Sequence, residues 1–121
     1  MAVSKVDMRW SWRSPEELFE KQYTLVKLTE ESTIVPAASG DRAFILMDTP
    51  KAGDYGTVCL DGVEKCKVGT EVKQGQLVAP NNKGELQPAL TGQYIVGMAL
   101  ETGAVGTVVS VLVHAGTGAK A

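Results

Sequence analysis

The sequence predicts a mainly β protein, a small barrel or sandwich preceded by an N-terminal arm that carries one short helix. Three observations predict it. Glycine punctuates the chain every few residues after Gly40. No stretch beyond that point sustains three turns of helical periodicity. The apolar residues there fall in short, valine-rich runs between turn residues. At 121 residues there is room for one domain. It divides into an arm over 1–38, a β domain over 39–116 and a small polar tail over 117–121, expected to be disordered.

The arm contains no glycine in residues 1–35 and holds both tryptophans. Met8, Trp10 and Trp12 alternate with Arg9, Ser11 and Arg13, which is a strand with one apolar and one cationic face. Ser14-Pro15-Glu16-Glu17 reads as a helix start, with Ser14 as cap, Pro15 at the first helical position and Glu17 closing a capping box. That helix reaches Gln22, and Tyr23–Leu28 follows as a strand.

In the β domain, Ala43–Met47 is an apolar strand and Lys51–Tyr55 a loop. Thr57–Leu60 and Val63–Val68 flank Asp61-Gly62, the strongest short-range hairpin signal in the chain. Gln76–Ala79 is a strand, Pro80–Gly84 a turn cluster and Glu85–Pro88 another extended piece. Tyr94–Leu100 and Thr107–His114 are the two longest strands. The last is apolar on both faces and asks for cover on both, which points to Val109, Val111, Val113 and His114 as an oligomer interface.

The net charge of -2 and pI near 5.4 give no basic patch for nucleic acid or an anionic membrane surface. Apolar runs such as Val108–Val113 are far too short to cross a bilayer as helices. Met1–Val6 is not followed by the apolar segment of a secretory signal, so synthesis in a cytoplasm is expected. Cys59 and Cys66 sit diagonally across the expected hairpin, roughly 7–8 Å apart, which is long for a disulfide and predicts free thiols.

Catalytic chemistry is not proposed by these residues. His114 is alone, and the carboxylates are scattered without an acid–base pair. Two cysteines and one histidine make no zinc set. Gly53-Asp54-Tyr55-Gly56 lacks the spacing and following helix of a phosphate loop. The expectation is a non-enzyme with no cofactor and no metal. Lys73-Gln74-Gly75 resembles the turn of biotinyl and lipoyl carrier domains, which keeps a carrier or barrel module of an enzyme complex as one alternative.

Four pieces in order resemble the tailed-phage capsid decoration, or cement, proteins, a family formerly labelled a domain of unknown function. They are Gly56-Thr57-Val58-Cys59-Leu60-Asp61-Gly62-Val63, the Val72–Val78 turn around Gly75, Gly97-Met98-Ala99-Leu100-Glu101, and Gly106 through Val113. The resemblance implies a β-rich, often trimeric protein on the capsid exterior that bridges subunits of the major capsid protein and stabilises the head. Its expected partners are that capsid protein and further copies of itself, with no nucleic acid and no membrane. The arm lies outside the resemblance. Its own pattern makes Met8, Arg9, Trp10, Trp12 and Arg13 the candidate capsid-binding residues, since aromatic and arginine side chains dominate binding hot spots. A head-fibre base or glycan-binding virion module is the other alternative.

Overall fold

A computed structural model describes residues 2–113 and 120–121. Nine strands run in chain order: β1 (Lys5–Arg13), β2 (Leu25–Leu28), β3 (Ile34–Pro36), β4 (Phe44–Leu46), β5 (Tyr55–Lys67), β6 (Leu77–Pro80), β7 (Leu86–Pro88), β8 (Gly97–Ala99) and β9 (Val108–Val113). They form one antiparallel sheet in the order β3-β2-β4-β5-β9-β8-β6-β7, with β1 also on β5. The sheet curls until its far side returns. Leu86 in β7 bridges Val68 just past β5, and Leu25 N–H donates to the Gly84 carbonyl at 2.7 Å. The fold is therefore mainly β and barrel-like, as the turn-punctuated sequence predicts.

The curl encloses a main core of Leu25, Ile45, Cys59, Cys66, Val68, Val72, Val78, Leu86 and, from β9, Val109, Val111 and Val113. A second, smaller core lies on the opposite face of the shared strands. It comprises Leu18, Val26, Ile34, Leu46 and Val58, with Trp12, Phe44 and Leu60 packed against it. Neighbours on one strand thus serve different cores. Val58 and Cys59 are both fully buried, as are Leu25 and Val26. This is why these runs are continuously apolar rather than alternating.

The boundary expected at residue 38 coincides with no break in the sheet. Residues 1–38 supply β1, β2 and β3 together with Leu18, which is fully buried. The last two residues, beyond the described gap, pair with the loop before β8: Gly92 N–H donates to the Ala121 carbonyl and Ala121 N–H to the Gln93 carbonyl, each at 2.9 Å.

Two sequence expectations are corrected. No helix forms at Ser14–Gln22, and no helix occurs among the described residues. Ser14 does not cap: its hydroxyl donates to the Glu16 carbonyl at 2.5 Å, while its main chain pairs with Gly53 and Asp54. Leu18 N–H donates to the Pro50 carbonyl at 2.9 Å. A helix of about two turns is marginal by itself, and pairing with the 50–54 loop outweighs it.

The Asp61-Gly62 hairpin is also absent. Both residues lie inside β5, a single strand of 13 residues. Positive φ, which makes Gly favourable in a hairpin turn, is used here for a crossing. Gly62 has φ +118°, and a Cβ there would lie 2.6 Å from the Lys5 carbonyl oxygen and 2.7 Å from Asp7 N. The β1 backbone passes directly over it. Asp7 in β1 and Leu60 in β5 are left out of the register, two bulges that offset one another.

Replacement Gly62→Ala should destabilise the fold by about 2–4 kcal/mol, from left-handed strain and the backbone clash. Thermal melting should show a fall of roughly 5–15 °C. A melt within two degrees of the parent would mean that β1 does not cross there.

Candidate functional site

The candidate surface is β1 and the mouth of the second core beneath it. Trp10 and Trp12 pair in register with Val58 and Gly56 of β5, which puts them on the face of the second core. Trp12 is half-buried there. Its ring meets Phe44 at a centroid distance of 5.6 Å and a tilt of 44°. Met8 and Trp10 continue the same face outward and stay 57% and 59% exposed. Arg9, Ser11 and Arg13 occupy the other face, where Ser11 Oγ approaches Thr57 Oγ1 at 3.4 Å. The strand pattern read in the sequence is present, but the two tryptophans part company. Trp12 belongs to the chain's own packing, and Trp10 is the free one. Their spacing holds no signal for this division, which depends on where Phe44 of β4 reaches.

Three of the residues expected at an oligomer interface lie in the core of the single chain. Val109, Val111 and Val113 point into the main core and are at most 2% exposed, so they have no side-chain surface to offer a second subunit. The cover for this face of β9 comes from the main core that the curled sheet encloses. His114 lies outside the described residues.

Both thiols are buried and unpaired, as expected, but for a different reason. Cys59 and Cys66 are seven positions apart on one strand, roughly 20 Å along it, far beyond disulfide reach. Burial, reinforced by the nearby Glu64 charge, pushes the Cys59 thiol up to about 11, and burial pushes Cys66 up further. Neither is poised as a nucleophile.

Elsewhere, Tyr94 lies between two cations, with the Arg42 guanidinium 4.5 Å and the Lys120 ammonium 4.8 Å from its ring centre. A hydrogen bond with Arg42 and the Lys120 charge lower its phenol pKa. A shallow polar groove of about 440 Å³ runs past Ser39, Asn81 and Gln87 to the exposed Leu90 and Val105. Its amides are engaged locally: the Asn81 side-chain carbonyl accepts from Lys83 and Glu85 N–H at 2.8 and 2.9 Å. Among the described residues no group of three or more His, Cys, Asp or Glu could hold a metal ion, and no helix is long and apolar enough to cross a membrane.

Fold and surface together define a β module with an aromatic residue exposed on a paired strand. A solved structure of the same fold is the N base of the head fiber protein gp8.5 in bacteriophage phi29. It aligns with a TM-score of 0.69 over 88% of this chain and 92% of that one, at 17% sequence identity. No family model matches the chain, and no curated protein matches its sequence.

Two predictions follow the geometry. Trp12→Ala should cost about 2–3 kcal/mol, because it opens the second core, whereas Trp10→Ala should stay within about 0.5 kcal/mol of the parent. Denaturant melts of the two variants check this, and equal losses would show Trp10 to be packed as well.

The thiols predict an alkaline weakness. Their folded pKa values are raised, so the unfolded chain releases these protons first. Their contribution is whole below about pH 8.5 and is lost as pH climbs through about 11 for Cys59. A Cys59→Ala/Cys66→Ala variant should lose less stability than the parent between those pH values. Parallel curves would refute thiol burial as the cause.

Proposed function

We propose that this chain is a structural protein of a phage virion, seated on the exterior of the head, where it binds the major capsid protein and strengthens the shell. One observation carries the reading. The fold it shares with a head-fiber base presents, on a strand fixed by pairing to β5, the exposed pair Met8 and Trp10 beside Arg9 and Arg13. Scattered exposed apolar residues are ordinary, but an exposed tryptophan next to a methionine and flanked by arginines has the composition of an interface centre. The module acts by adhesion, without a catalytic step and without a cofactor. It works as a trimer, as the resemblance to cement proteins implies, and three weak contacts on one particle reinforce each other because the later ones are intramolecular. That trimer uses a surface other than the buried Val109, Val111 and Val113.

The shared fold also favours a second form of the same role, a base that anchors a projecting fibre. Both forms require attachment to the shell, so attachment is what is tested first. Trp10→Ala with Met8→Ala should melt like the parent, yet occupy capsids stripped of this protein at least tenfold less. A loss of about 1.4 kcal/mol in one contact is already tenfold. A variant that binds normally would move the attachment surface off β1. Parent protein that fails to bind such capsids at all would end the reading.

A further inference from the structure

We infer that the outer edge of β1 receives an extended, acidic segment of the capsid protein as an added strand. This rests on the capsid-binding reading above and specifies how the contact is made.

The direction of the main-chain groups carries the inference. Thr57 turns its main chain toward the β4 side: its carbonyl accepts from Met47 N–H at 2.8 Å, and its N–H donates to Asp48 Oδ1 at 3.1 Å. Neighbours in a strand alternate, so Gly56 and Val58 face β1. Their register partners Trp12 and Trp10 therefore turn N–H and C=O toward β5. Arg9, Ser11 and Arg13 turn theirs outward. Arg13 agrees with this, since on that side it bridges Thr33 in parallel. Between that bridge and the bulge at Asp7, Arg9 and Ser11 present two N–H and two C=O groups on an edge that no described strand covers. An incoming strand can take up such groups in register, with its side chains beside Trp10 and beside Arg9.

Charge selects the occupant. Lys5, Arg9 and Arg13 against Asp7 give β1 a net charge of +2 (three cations less one anion), while the whole chain is -2, so the remainder carries -4. An acidic segment is drawn to β1 and repelled elsewhere. A second copy would set a +2 strand against a +2 strand.

Ser11→Pro in the full chain tests this. Proline removes an outward N–H that β5 does not use, and edge strands tolerate it. The variant should melt within a few degrees of the parent and bind stripped capsids at least tenfold less, as should Arg9→Glu. In the parent, hydrogen exchange at Arg9 and Ser11 should slow on capsid binding, a readout that stands even if the proline variant misfolds. Normal binding by Ser11→Pro alongside lost binding by Trp10→Ala would overturn the added strand and leave the capsid-binding reading intact. Normal binding by both would overturn both. Unchanged exchange at Arg9 and Ser11 would overturn the added strand, and an Arg9→Glu variant that binds normally would overturn the acidic partner. A free protein that self-associates through this edge, and dissociates with Ser11→Pro, would make the occupant a second copy and overturn the inference.

Discussion

The structure depends on β5 being buried on both faces. Along 13 residues it pairs with β1, β4 and β9, and it divides its side chains between two cores, Val58 to the smaller and Cys59 to the larger. A chain of this size has little core to spare. Dividing one strand between two cores is an economical use of apolar residues, because β5 carries packed side chains on both of its faces. The consequence is that β1 and β9 must both approach β5 and overlap at Gly62 and Val63, which register with both. Only a residue without Cβ admits the β1 backbone at that point.

The crossing also decides what the N-terminus does. Past the Lys5–Val63 pair, the residues just before β1 tie themselves to β5 and β9. Ser4 Oγ bonds the carboxylate of Glu64, itself 1% exposed, and Val3 N–H donates to Ser110 Oγ at 2.6 Å. The same Glu64 oxygen, Oε1, also accepts from Lys65 N–H at 2.8 Å, so two donors offset its burial. An arm tethered by pairing along its length has already met its ordering cost in folding, about 1–2 kcal/mol per residue. That changes the energetics of Trp10. In a loose arm, its burial against a partner would be consumed in ordering the chain. On a fixed strand, roughly 100 Å² of exposed ring can contribute about 2–3 kcal/mol to binding as an upper value.

Much of this was legible. The strands at Ala43–Met47, Gln76–Ala79 and Thr107–His114 stand within a residue or two of β4, β6 and β9, because valine-rich runs between glycines leave the backbone few choices. What was not legible shares one cause. Asp-Gly between apolar runs signals a hairpin, but a bulged crossing needs the same positive φ, and the sequence does not say which partner strand demands it. Ser-Pro-Glu-Glu signals a helix start, but the competing loop at 50–54 is over thirty residues away. Val109, Val111 and Val113 read as an interface because a run apolar on both faces reveals only that cover is wanted, not that the chain's own curl supplies it to their face. The candidate site followed the same rule: the Met8-Trp10-Trp12 stripe was visible, and its division into a packed and an exposed tryptophan was set by Phe44 on another strand.

The exposed edge of β1 poses a problem that the sequence answers in an unusual way. A nine-residue edge strand with two tryptophans invites pairing with any passing strand, and natural edges are blunted by charge, bulges or cover. Here Thr33 covers one end at Arg13 and the Asp7 bulge bends the other. Only a short central stretch remains, guarded by Arg9. These devices exclude a like-charged copy more strongly than they exclude an acidic strand. An edge closed to everything would carry charge of both signs along its length, or a proline at an outward N–H such as Ser11. An edge open to everything would lack the bulge and the arginines. The arrangement here is intermediate: between the Asp7 bulge and the Thr33 bridge the open main-chain groups are those of Arg9 and Ser11, and the only charge on that stretch is positive.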